Sequence, residues 1–282
     1  MSQVLLTGAH GVIGTALTEH GEWEYVLTDR REAPDALPDG TPHPHRHRES
    51  ELVDVTDPDT VTEAVEPCEA IVHLAGSSST DASFEEVFET NVRGTHNVLE
   101  AARQHGVDTV VFASSNHVVG MYEREHAPEL YEPEHALVLD HEVAVRPDSE
   151  YAASKVAGEA WVRYYAEVYG LRCFVLRIGS VRAPRWDHPL GDATGGVARG
   201  WWVEGSQEWV KQAKRLRCTW QSRRDIAQMV ECCLAADDVE FGIYYGTSGN
   251  RHSWLDIAPA RKKIGYRPAD RADDPRWGAL AL

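Results

Sequence analysis

Tyr151 and Lys155 stand four residues apart in Tyr151-Ala152-Ala153-Ser154-Lys155, a spacing that puts both on one face of a helix. A free phenol ionises near pH 10, too high for an efficient base at neutral pH. An ammonium group beside it favours the phenolate and lowers that value. The pair therefore suits removal of a proton from an alcohol, and the lysine can also hydrogen-bond a ribose. Ser115 follows an apolar run and can orient a substrate hydroxyl. A surface helix pair would show the same Tyr–Lys spacing, so the reading needs support from the rest of the chain.

That support begins near the N-terminus, with Gly8-Ala9-His10-Gly11-Val12-Ile13-Gly14 between an apolar run and a helical pattern. Gly8 permits a tight turn, Gly11 lets backbone approach a pyrophosphate, and Gly14 permits close helix packing. The helix N-terminus then faces the phosphate charge. The glycines are spaced GxxGxxG rather than GxGxxG. Asp29 ends the next strand, where it accepts hydrogen bonds from the adenosine ribose and repels a 2′-phosphate, which favours NAD. Arg30 and Arg31 weigh the other way, because arginine can hold that phosphate. Asp54, followed by Val55, either meets the adenine edge or serves as a strand-end or capping carboxylate. Leu74-Ala75-Gly76 closes a fourth strand where the nicotinamide ribose would pass.

Alternating elements must position these groups. Strands are expected at 3–7, 25–28, 52–55, 70–74, 109–113, 172–178 and 241–246. Helices are expected after Gly14, after Asp57 with Pro58 in the first turn, within 84–105, over 151–169, over 222–235 and over 254–264. Strands alternating with helices imply an α/β fold with a doubly wound parallel sheet of Rossmann type. Residues 1–178 are expected to form the dinucleotide-binding domain with the catalytic helix. Residues 179–282 are expected to form mainly a small substrate lobe woven onto the sheet.

The formal net charge is −17 over 282 residues, and the only lysines are Lys155, Lys211, Lys214, Lys262 and Lys263. That balance argues against nucleic-acid binding. It suits a solvated acidic surface kept soluble in strong salt, and so a halophilic source. No run is long and apolar enough for a membrane span, and the start carries no secretory leader. Cys68, Cys173, Cys218, Cys232 and Cys233 form no CxxC pair and read as reduced thiols of a cytoplasmic protein. His43, His45 and His47 alternate within a Pro- and Arg-rich stretch. A flexible loop would not fix their geometry, so no metal is expected.

Together these residues resemble the extended short-chain dehydrogenases/reductases. The shared motifs span the chain: the glycine loop, Asp29, Asp54-Val55, Leu74-Ala75-Gly76, Asn91-Val92-Arg93-Gly94-Thr95, Ser114-Ser115, Tyr151 with Lys155, and Arg177-Ile178-Gly179. The resemblance implies a catalytic group of Ser115, Tyr151 and Lys155, with Asn91 supporting Lys155 through backbone and water. It also adds Ser114 and Ile178 to the NAD site. Phe112-Ala113-Ser114-Ser115-Asn116-His117 and Arg177-Ile178-Gly179-Ser180 are further similar to uronate dehydrogenases and to the short-chain glucose-6-phosphate dehydrogenases of halophilic archaea. That similarity implies oxidation of C1 of a cyclic sugar to a lactone. Asn116, and more weakly Ser78, would contact the sugar, and Arg215 would stand where uronate dehydrogenases bind a carboxylate.

Glucose 6-phosphate is the first substrate expected, then a hexuronate, then a neutral aldose such as L-arabinose. Nucleotide-sugar epimerases usually have a proline where Ile178 stands and a longer C-terminal lobe, which argues against them. An NAD-sensing binding protein would not need both Tyr151 and Lys155. Basic residues gather between Arg182 and Arg224, either paired with local acids or reaching an anionic sugar. Trp201, Trp202, Trp209 and Trp220 suit packing better than sugar stacking. The partners expected are a sugar and further copies of the same chain.

Overall fold

The structure is a computed structural model and describes residues 3–277. Strand β1 (Val4–Thr7) is buried throughout, as a central strand covered on both faces must be. It feeds α1 (Val12–His20), β2 (Tyr25–Asp29) and the short edge strand β3 (Glu51–Leu52). Next come α2 (Pro58–Val65) and β4 (Ala70–His73). The Asp57 carboxylate caps α2 by accepting from the Asp59 amide, and Pro58 takes the first turn, as expected. Helices α3 (Phe84–Val87) and α4 (Gly94–His105) are joined by a π-helical turn over Phe88–Arg93. Then follow β5 (Thr109–Ser115), α5 (Gly120–His126), α6 (Glu150–Tyr169) and β6 (Arg172–Ile178). The C-terminal part holds α7 (Gly191–Ala198), α8 (Gln207–Thr219), α9 (Arg223–Leu234), β7 (Phe241–Gly246) and α10 (Ala258–Lys263).

The strands form one sheet in the order β3-β2-β1-β4-β5-β6-β7, every neighbouring pair parallel. Alternate strand residues face opposite layers. Leu6, Val111 and Leu176 join a core with Leu17 of α1 and Met229 of α9. Leu5, Val110 and Val175 join another with Val61 of α2, Leu99 of α4 and Val162 of α6. The order reverses between β1 and β4, and a ligand crevice is expected at the carboxyl ends there.

Several elements differ from expectation. The third strand was expected over 52–55, but only Glu51 and Leu52 pair, opposite Thr28 and Asp29. Beyond it, Asp54 turns the chain by accepting from the Thr56 amide. The last helix begins at Ala258 rather than 254, because Leu255 bridges to Leu139 and Pro259 suits only a helix start. The segment after Gly179 is more regular than its composition suggests. Ser206 caps α8, accepting from the Trp209 amide, and Trp209 packs with Ala193 of α7. Trp202 donates to the Ala193 carbonyl and Trp220 is buried, so both serve packing.

The histidine stretch also departs from the flexible loop expected. Its backbone is held by Leu37 N–H to Thr41 O at 2.9 Å and His43 N–H to Asp35 O at 3.0 Å. His43 and His45 are buried against His10, while His47 is exposed.

Candidate active site

A cleft of about 450 Å³ runs along the carboxyl ends of the strands, where the order reverses. It brings together most residues chosen from sequence: Gly8, Gly11, Val12, Ile13, Gly14, Asp29, Arg30, Asp54, Val55, Leu74, Ala75, Gly76, Ser78, Ser114, Ser115, Asn116, Tyr151, Lys155, Ile178 and Arg215. His10 and Asn91 are not on its wall.

The glycine loop fits a dinucleotide. Gly8 has φ +69°, and a Cβ there would stand 2.7 Å from the Ala75 amide nitrogen. Any side chain would be strained at this φ and would push the Gly8 and Ala75 backbones apart. At the other side Asp29 is fixed, its Oδ2 accepting the His10 amide at 3.1 Å. Arg30 is exposed beside it. Asp54 lines the cleft, yet its Oδ1 already accepts from the Thr56 amide at 2.9 Å and hydroxyl at 2.8 Å. The cap of α2 is Asp57, so the capping alternative for Asp54 is corrected.

This arrangement predicts a cofactor switch. Asp29→Ala removes a carboxylate that reads ribose hydroxyls and repels a 2′-phosphate, leaving Arg30 beside the vacated space. NAD should bind about tenfold more weakly, as expected for loss of a charge-assisted contact, while the NADP constant improves. Equilibrium binding of both cofactors checks this. An unchanged NAD:NADP ratio would show that Asp29 does not face the ribose.

At the chemical end, Ser149 caps α6 by accepting the Ala152 amide and so sets the register of Tyr151 and Lys155. The Tyr151 phenol and the Ser115 hydroxyl, at the end of β5, both line the cleft. Burial pushes the Tyr151 phenol up; the nearby Ser115 hydroxyl pulls it down less strongly, and Asp148 adds to the rise. Lys155 is pushed down to about 8 by its own burial. A nearby ammonium was expected to lower the phenol; in this desolvated pocket burial dominates and raises it. Lys155 donates to the Ala113 carbonyl at 2.8 Å, which fixes it and leaves two further donors.

Asn91 bridges two elements beside the cleft. Its Oδ1 accepts the Ser77 amide at 2.7 Å, and its Nδ2 donates to the Ser77 carbonyl at 3.0 Å and the Ser154 hydroxyl at 2.9 Å. The side chain clamps the loop after β4 to α6 and makes no direct bond to Lys155. The Ser114 hydroxyl donates to Glu159 at 2.5 Å, so it is committed below the cleft. Glu159 in turn holds Arg177 through two bonds, at 3.0 and 2.9 Å.

The substrate end includes a residue not chosen as a site. His117 lines the cleft, and its Nδ1 lies 2.9 Å from Asp148. Its place one residue after Asn116, in the run that carries the resemblance, was the available signal. Arg182 also lines the cleft and pairs with Asp192. Arg215 gives Nε and Nη2 to Glu123, at 2.6 and 3.1 Å. Among the other basic residues of this span, Lys214, Arg223 and Arg224 pair with Glu132, Glu19 and Asp270. Local pairing therefore accounts for much of the basic cluster.

Residues 4–200 match the model of the NAD dependent epimerase/dehydratase family. The chain is 34% identical over 273 residues to an NAD-dependent glucose-6-phosphate dehydrogenase of Haloferax volcanii, covering 95% of this chain and 94% of that one. It is 34% identical over 284 residues to an L-arabinose 1-dehydrogenase (NAD(P)+) of the same organism, covering 96% and 98%. A crystal structure of a uronate dehydrogenase from Agrobacterium tumefaciens complexed with NAD superposes with a TM-score of 0.72 at 27% identity, covering 98% and 88%. With glycine loop, strand-end Asp29 and Tyr–Lys pair set along one crevice, the chain belongs to the NAD dependent epimerase/dehydratase family.

Proposed function

We propose that the protein oxidises the C1 hydroxyl of a cyclic aldose to the lactone with NAD, glucose 6-phosphate being its first substrate. The observation that carries this is one cleft lined by Tyr151, Lys155 and Ser115 together with the glycine loop and Asp29. When bound, oxidised NAD supplies the hydride acceptor and a positive ring charge that favours phenolate. Tyr151 takes the hydroxyl proton as the C1–H electron pair departs and the carbonyl forms. Ser115 holds the same sugar oxygen, and Asn116 binds a neighbouring hydroxyl. Lys155, fixed on Ala113, keeps its remaining donors for the cofactor ribose and adds its charge to the phenolate's support.

Two features support an anionic sugar: Arg182 and Arg215 both line the cleft, and the glucose-6-phosphate dehydrogenase relative is similar over nearly the full length of both chains. A hexuronate would use the same guanidinium groups. One observation favours a neutral aldose instead. Asp192 and Glu123 already neutralise these two arginines. A panel of aldoses, uronates and sugar phosphates, assayed for NADH formation in high and low salt, tests the proposal. No NADH from any of them, with NAD retained through purification, would point to an epimerase or dehydratase.

Arg215→Ala separates the anionic from the neutral reading. Losing one charge-assisted contact in a partly desolvated site should lower kcat/KM for glucose 6-phosphate roughly tenfold to a hundredfold, with little change for glucose. Arg215→Lys should restore part of the loss. The exposed Lys211→Ala is the control, with almost no effect expected. Equal losses on both sugars would mean that Arg215 serves only to hold Glu123.

A further inference from the structure

Outside the cleft, three histidine rings converge between the glycine loop and the 31–50 loop. His10, His43 and His45 are all buried, and a ring nitrogen of each lies within 4.8 Å of the others. The three ring centres form a nearly equilateral triangle, with sides of 5.5, 5.5 and 5.4 Å. A point equidistant from them lies about 3.2 Å from each. That matches an ion bound at ~2.0–2.1 Å from nitrogen, with the ring centre roughly 1.1 Å further back.

Hydrogen bonding determines where the lone pairs lie. His43 Nε2 is 3.0 Å from the His10 carbonyl, which can only accept, so Nε2 carries the proton. Its Nδ1 accepts the His45 amide at 3.1 Å. The Thr18 hydroxyl lies 3.2 Å from the Thr15 carbonyl and 2.6 Å from His45 Nε2; with its proton on the carbonyl it accepts from Nε2. In that arrangement Nδ1 is the unprotonated nitrogen in both rings. The His45 Nδ1 faces His10 Nδ1 at 3.3 Å. Two lone pairs cannot oppose each other, so either a proton or a cation lies between them. Two nitrogens sharing a tetrahedral zinc ion stand about 3.3–3.4 Å apart. Ser50 Oγ, 3.2 Å from His10 Nε2, can accept a hydrogen bond from Nε2–H once Nδ1 is used. Ligating histidines commonly have outer partners of this kind.

We propose that His10, His43 and His45 bind one divalent transition-metal ion, of which zinc is the reference, through their Nδ1 atoms with water completing the shell. The third ligand exchanges its bond to the His45 amide for the ion. Arg223 stands near this cluster, but Glu19 pairs with it, and Asp29 lies on the His10 side. The ion would fasten the 31–50 loop to the glycine loop, whose His10 amide holds Asp29.

The test uses untagged, full-length protein stripped with a chelator and titrated with zinc and with cobalt(II). One ion per chain is expected, with intense visible cobalt bands of a tetrahedral site. Saturating zinc, at about a hundred times its dissociation constant, should raise the thermal midpoint by about 5 °C. His45→Gln should weaken zinc binding at least ~100-fold, whereas the exposed His47→Ala should bind like the parent. His45→Cys, which supplies another ligand, should recover much of the affinity if the site is a ligand set. Folding of each variant is checked by circular dichroism, and His43→Gln replaces His45→Gln if the latter unfolds. No stoichiometric ion in the parent, or affinity unchanged in the folded variants, would overturn the site.

Discussion

Tyr151→Phe should lower kcat at least ~100-fold while leaving NAD affinity within about twofold. The ring is retained, so its packing with Ala82 and Val87 survives and the cleft keeps its shape. What disappears is the oxygen proposed to receive the sugar proton. The buried phenol lies above its ordinary value in the free protein, so phenolate is scarce at neutral pH. The parent's kcat/KM should therefore climb as pH rises from 6 toward 8, and the Phe variant should lose this slope along with the rate. Steady-state kinetics over that range, with NAD binding measured separately, checks both parts. Near-normal turnover in the variant would mean that another group, His117 being the nearest candidate on the cleft wall, takes the proton.

Glu159→Gln should destabilise the fold by about 3–5 kcal/mol, a loss readable as a lower midpoint in urea. Glu159 and Arg177 are both buried and form the two-bond pair that also receives the Ser114 hydroxyl. Arg177 reaches on to the Tyr245 hydroxyl at 3.1 Å, so the network ties α6, β5, β6 and β7 together beneath the cleft. Removing one charge leaves the other without compensation in a desolvated setting, where the penalty greatly exceeds that of a surface pair. The paired replacement Glu159→Met with Arg177→Met should be less destabilised than Glu159→Gln, because neither charge remains. A Gln variant as stable as the parent would show that water reaches the pair.

The cofactor half of the site was readable because each of its signals is local. The turn at Gly8, the helix start after Gly11, the strand-end Asp29 and the four-residue step from Tyr151 to Lys155 depend on backbone geometry within a few residues. Alternating buried strands and amphipathic helices likewise prescribe a parallel sheet, which the seven-strand order bears out. The short β3 was harder to bound, because an edge strand's length is set by its partner's hydrogen bonds as well as by its own residues.

The substrate half and the polar networks depend on partners far along the chain. Arg215 reads as an anion-binding group until Glu123, 92 residues earlier, is seen to occupy two of its donors. Ser114 meets Glu159 across 45 residues, and His10 meets His45 across 35. No periodicity encodes such pairings. They arise when packed layers bring buried polar groups within reach and desolvation compels each to find a partner. Sequence alone determined the NAD-dependent chemistry and picked out the residues that line the crevice; tertiary packing decided which charges stay free for a substrate, because only there do distant side chains neutralise one another.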